Sequence, residues 1–311
     1  MKINIEGIRL LEEILEDNCI DYNKLILFVK SEGTKGLIEH ERSFNRYINK
    51  SMIVEELIKL KKYNGYKDKY DFYILKENIP MLKKEILYIK ENEHKIINEA
   101  LDKVYKFIPK DIKVQPNIYI YAGGIDGGFT VYRKNIFINY IKYINKPQEF
   151  VKIISHELFH CRTIPLTNRL KSLFVLSFNN RYVYEILGKI LEEGIACLIQ
   201  HGNILEEDDP VGTLTKEKIK KIDKKIRDLN CFLLGIKQGN INYSRTEVLD
   251  IYTIGYYIAS SLYDFYGRGA LLPWIDSYNY KKPIKSYIEV AKTVKTNSGF
   301  TREIEKWLLK L

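Results

Sequence analysis

The stretch HELFH at residues 156–160 constrains this chain more than any other feature. His156 and His160 are four residues apart, so they share a face only on an α-helix, where a turn takes about 3.6 residues. Two imidazoles placed that way grip one zinc ion, and the adjacent Glu157 works on the water that the ion holds. With five histidines in 311 residues, the spacing seldom arises by chance. A zinc hydrolase is the reading to test. The alternative is a pair of core histidines bonded to backbone carbonyls beside an unrelated glutamate.

The surrounding residues predict such a helix. Asn145 is placed to cap it with Gln148 three residues on, and Pro147 falls in the first turn, where a missing N–H costs nothing. Phe150, Val151, Ile153, Ile154, Leu158 and Phe159 surround the histidines, so the helix is expected to be buried on most sides. Burying two imidazoles and a carboxylate there is costly unless something pairs with them, and a metal supplies that pairing.

Composition narrows the alternatives. The chain is 45% hydrophobic with no run of eighteen apolar residues, and its start, MKINIEGIRLLEEILED, mixes acids into the apolar positions. A soluble, unexported, cytoplasmic protein without a membrane partner is expected. Cys19, Cys161, Cys197 and Cys231 are scattered with no C-x-x-C pair, which argues for reduced thiols and against a disulfide framework or a cysteine-based zinc site. The net charge of +10 suggests phosphate binding, but the densest basic run, Lys216 to Arg227, has Ile219, Ile222 and Ile226 at amphipathic-helix spacing. That pattern reads as a solvated lysine face, so no nucleic-acid partner is expected. Nothing in the residues sets an oligomeric state.

The chain divides into three parts by texture. Residues 1–112 read as a helical region, with apolar residues at helical spacing around 6–16, 22–31, 51–63 and 79–107. From Ile112 the pattern turns to β, with NIYIYA at 117–122 and FTVYRKNIFINY at 129–140 on either side of Gly123, Gly124, Ile125, Asp126, Gly127 and Gly128. Those glycines suit either a plain hairpin loop or a sheet edge on which a peptide substrate pairs. The expected fold is α+β and predominantly α. A zinc-binding subdomain with the sheet spans 113–202, and a helical lobe spans 203–311.

A third ligand is needed. The extended metzincin pattern would require glycine at 163 and histidine at 166, where the chain has Thr163 and Leu166, so that class is excluded. A glutamate from a following helix is the other option, and LEEGIACLIQHG at 191–202 supplies it. Asn179 or Asn180 can begin this helix and Gly202 can end it, with Ile186, Ile190, Gly194 and Cys197 as a packed face.

At Glu193-Gly194-Ile195-Ala196 the chain resembles gluzincin metallopeptidases, whose third ligand is commonly the glutamate of an E-G-x-A sequence after H-E-x-x-H. The resemblance gives the ligand role to Glu193, with Glu192 as the fallback. The span from His160 to Glu193 is longer than in thermolysin-like or aminopeptidase members, and it is similar to uncharacterised bacterial zinc-dependent peptidase families. Thermolysin-like members place an aspartate four residues after that glutamate to orient a histidine, and Cys197 stands there instead.

The aminopeptidase-like branch also carries a Y-x-x-G pattern, matched here by Tyr252-Thr253-Ile254-Gly255 on a helix that Ser244 and Glu247 would cap. By resemblance Tyr252 would stabilise the oxyanion, with Tyr256 and Tyr257 as alternatives. GGIDG at 123–127 is loosely similar to the strand that binds a substrate amino terminus in that branch, which would make Gly123, Gly124 and Asp126 substrate-binding residues. The function this implies is peptide-bond hydrolysis of a peptide or protein substrate. His156, His160 and Glu193 would hold Zn2+, and Glu157 would be the general base. The competing reading is a catalytically inactive protein that keeps the fold as a binding module.

Overall fold

The computed structural model describes residues 1–17, 19–168, 181–240, 249–293 and 298–311. These form two compact units, Met1–Asp102 with Val114–Cys161, and Lys103–Lys113 with Arg162–Leu311. The fold is α+β with helices in the majority, as expected. No helix among the described residues is long and apolar enough to cross a membrane.

The first unit is built on a sheet of β1 (Ile3–Asn4), β2 (Asn117–Tyr121), β3 (Gly128–Val131) and β4 (Asn135–Asn139), in the order β1-β2-β4-β3. The first three in that order are parallel, and β3 runs antiparallel to β4 at the edge. β4 is buried from its second residue on, as its apolar run requires of a strand covered on both faces. The sequence reading of one strand over 129–140 is corrected here. Tyr132 and Arg133, at φ 51 and 58, turn the chain between β3 and β4, with Lys134 N–H donating to Val131 at 3.1 Å. Left-handed residues match the twist of a tight hairpin, but tyrosine and arginine give no turn signal.

Before the sheet the chain forms α1 (Glu6–Glu16), α2 (Tyr22–Lys30), α3 (Glu32–Ser43), α4 (Lys50–Lys62), α5 (Phe72–Glu77), α6 (Ile79–Glu91) and α7 (Glu93–Tyr105). The long helical pattern at 79–107 is thus two helices, broken at Asn92. α3 was not legible in the sequence. It lies on the sheet face formed by Tyr119, Phe129 and Phe137, and a Cβ on Gly36 would stand 2.2 Å from the Phe137 ring. Rings on that face stack at 5.1 Å (Tyr119–Phe137), 4.9 Å (Phe129–Phe137) and 3.8 Å (Phe129–His40 of α3). Residues of opposite parity, Gly128, Thr130, Ile136 and Ile138, point to the other face. There α8 (Pro147–His160) packs against β3 and β4.

The second unit contains α9 (Arg181–His201), α10 (Lys216–Lys220), α11 (Ile222–Lys237), α12 (Ile251–Tyr266), α13 (Leu272–Ser277), α14 (Lys281–Thr293) and α15 (Arg302–Leu308). Its main packing is α9 against α12. Gly202 ends α9 at φ 80, with its N–H on the Leu198 carbonyl at 2.8 Å. Asn179 and Asn180, expected to begin α9, lie outside the described residues, as do Ser244 and Glu247. α12 begins instead at an Asp250 cap, which accepts from Thr253 N–H at 3.0 Å. The basic run falls on two helices rather than one, with Ile226 buried and Lys220, Lys221 and Lys224 in solvent.

Candidate metal centre

In the first unit, α8 starts with Pro147 in its first turn, but Asn145 does not cap it. The cap position is Lys146. Asn145 sits at φ 59, and its N–H donates to Glu85 at 2.9 Å, so tertiary bonding displaces the local cap. Phe150, Val151, Ile153, Ile154, Leu158 and Phe159 are buried as expected. His156 and Glu157 are buried and His160 is half-buried. The two imidazole centroids lie 5.0 Å apart at 67°, on one face of the helix. A pair of imidazole nitrogens so disposed suits one ion at the ~2 Å zinc–nitrogen distance.

Glu157 has a defined seat on the sheet. Thr130 Oγ1 donates to Glu157 Oε2 at 2.8 Å, and lies 3.3 Å from the Glu157 backbone carbonyl and 3.9 Å from Cys161 Sγ. Beside it Gly128 leaves space. A Cβ there would stand 3.2 Å from Glu157 Oε1. Burial pushes the Cys161 thiol up to about 12, so it stays protonated at neutral pH.

The glycine-rich segment is not a simple hairpin loop; it leads from β2 across to β3 and wraps the side chain of Asn139. Asn139 Nδ2 donates to the carbonyls of Gly123 (2.8 Å), Gly124 (3.3 Å) and Asp126 (3.1 Å), and its Oδ1 accepts from Gly123 N–H at 3.2 Å. Gly123 and Gly124 take φ 107 and 81 to do so. The Asp126 carboxylate accepts from His40 Nε2 at 2.9 Å and Arg46 Nη2 at 2.5 Å. The hydrogen bond from His40, reinforced by Arg46, holds that carboxyl below its ordinary range.

In the second unit Glu192 and Glu193 follow one another on α9, and the structure distinguishes them. Arg162 grips both Glu192 oxygens at 2.7 Å, and Trp274 Nε1 donates to Oε2 at 2.7 Å. Arg162 Nε also donates to the Ile275 carbonyl at 3.0 Å. Glu192 is therefore committed to a buried ion pair. Gly194, next to Glu193, meets Gly255 of α12, one turn after Tyr252. Tyr252 packs on a cluster of Cys197, Leu205, Leu214 and Tyr256. Tyr256 is buried within that cluster, which pushes its phenol up to about 12, and Tyr257 packs edge-on to Tyr287 at 6.5 Å. His201 is the last residue of α9, and its side chain is buried 3.6 Å from Asp209.

A family described as Putative zinc dependent peptidase (DUF5700) matches residues 25–296. The chain belongs to that family. No curated protein and no solved structure matches it. Two imidazoles on one face of α8 are donors of the kind that zinc takes. Three residues of this family member escaped the sequence reading. Thr130, Asn139 and Arg162 have no local motif. Their partners are 27, at most 16 and 30 residues away, so only the fold brings each pair together.

Proposed function

We propose that this member of the zinc-dependent peptidase family is a gluzincin-type metallopeptidase in which His156, His160 and Glu193 hold one zinc ion. The observation that supports it most is α8 itself, with two imidazoles 5.0 Å apart on one face and Glu157 buried beside them. A competing histidine–carboxylate group within the first unit, His40, Glu41 and Asp126, already surrounds the Arg46 guanidinium, which fills the place of a cation.

When bound, zinc supplies a water acidified towards neutrality and a Lewis acid for the scissile carbonyl. Glu157 takes the proton of the attacking water and hands it to the leaving amine. Tyr252 donates to the developing oxyanion from the first turn of α12. The outer edge of β3 aligns the peptide by main-chain pairing, next to the loop of Gly123, Gly124 and Asp126. The Asp126 carboxylate is engaged by His40 and Arg46, so this loop contributes shape rather than a free charge for a substrate amino terminus. Free Cys19, Cys161, Cys197 and Cys231 suit a reducing cytoplasm.

Metal analysis of purified protein, alongside Glu157→Gln and His156→Ala on a peptide library, tests the reading. Zinc near one equivalent in wild type and Glu157→Gln, with cleavage only by wild type, is the expected result. Metal-free wild type, or equal cleavage by all three, would rule it out.

A further inference from the structure

The seat beneath Glu157 is more specific than packing requires. Gly128 and Thr130 are two residues apart on β3, so both face α8. One contributes a hydroxyl and the other contributes no side chain. Thr130 Oγ1 donates to Oε2 at 2.8 Å, and Oε1 lies over Gly128, where a methyl would crowd it at 3.2 Å. Thr130 is held in turn, because β3 pairs with β4 at Thr130↔Ile136 and Gly128↔Ile138. Being β-branched, it has few χ1 options. A carboxylate gripped at one oxygen on a rigid strand has lost the side-chain rotation that would carry the other oxygen away.

We propose that Thr130 is a positioning residue for Glu157. Its hydroxyl fixes Oε2, so that Oε1, over the bare backbone of Gly128, is the oxygen that meets the proton of the attacking water. The proposal rests on the reading of Glu157 as general base. It makes β3 bifunctional: its α8-facing side aims the base, while its outer edge is the one left for substrate. Positioning of this kind acts on the chemical step and leaves substrate affinity alone.

The test uses the full zinc-loaded chain and a peptide that wild type cleaves. Thr130→Val, nearly isosteric, lowers kcat on the order of tenfold or more while KM and zinc content stay within about twofold. Thr130→Ser keeps the hydroxyl and returns kcat to near the wild-type value. A second readout needs no turnover. In metal-free protein, Thr130→Val lowers the unfolding midpoint less in a Glu157→Ala background than alone, because the bond it removes is already gone. If Thr130→Val fails to fold, Gly128→Ala takes its place, and a methyl against Oε1 lowers kcat with zinc retained. Wild-type kcat in whichever variant folds, or strictly additive midpoints, overturns the proposal and leaves the peptidase reading standing. Wild-type protein that neither holds zinc nor cleaves overturns that reading and this proposal with it.

Discussion

Gly194 and Gly255 meet backbone to backbone where α9 crosses α12. A Cβ on Gly194 would stand 2.2 Å from the Gly255 carbonyl, and one on Gly255 would stand 2.1 Å from the carbonyl of Ile190. Glu193 precedes the first glycine and Tyr252 lies one turn before the second, so E-G-x-A and Y-x-x-G are two halves of a single helix crossing. Each glycine is there for the other. Together they set the level at which Glu193 and Tyr252 leave their helices.

Gly194→Ala and Gly255→Ala should therefore both be strongly destabilising. The obstacle is main chain in each case, which cannot swing aside as a flexible side chain would, so relief requires the helix axes to separate. Overpacking of that kind costs about 1–3 kcal/mol or more, a fall in melting temperature of roughly 2 °C or greater for a domain of this size. Calorimetry of the two variants checks it. An unchanged melting temperature in either would mean that the helices do not cross there.

How much of this was legible varies with how local the cause is. α8 could be read because proline placement, apolar spacing and the histidine pair all lie within fourteen residues. Its cap could not, because Asn145 is claimed by Glu85, sixty positions earlier. α3 was hidden for a related reason. Gly33 and Gly36 lower helix propensity, and their purpose, clearance for the Ile120 carbonyl and the Phe137 ring, becomes visible only once the sheet exists. The turn at Tyr132 and Arg133 lacks any residue that favours positive φ, so the strand pattern ran through it unbroken. In the site, His156, Glu157 and His160 form a motif. Thr130 and Arg162 are single residues whose meaning is supplied by a distant partner.

The Arg162–Glu192 pair predicts a clear separation between neighbouring glutamates. Its side chains are 0% and 14% exposed, so removing one partner strands a buried charge. Arg162→Met should cost about 3–5 kcal/mol in urea denaturation, and Arg162→Met combined with Glu192→Leu should recover most of that loss. Zinc titration against a chromophoric chelator should distinguish the two positions. Glu192→Gln should keep its affinity within the roughly 10–100-fold that loss of a ligand's hydrogen-bond partner costs, and Glu193→Gln should exceed it. Equal losses at both positions would contradict the assignment of Glu193 as ligand.

Asp126 gives the acid side of the stability curve a definite shape. Its carboxyl is held below the ordinary 3.8, first by the His40 hydrogen bond and then by Arg46, against the opposing effect of burial. A group depressed in the folded state contributes fully above its unfolded value and loses that contribution as pH falls through its folded value. Asp126→Asn should therefore be less stable than wild type at about pH 6, and the gap should close as pH drops below the ordinary 3.8. The side chain is 37% exposed, so added salt should narrow the gap at neutral pH as well. Urea midpoints of both proteins across that range provide the measurement. A gap that persists undiminished in acid would show that Asp126 stabilises the loop by shape alone and that its pairing with His40 and Arg46 contributes nothing.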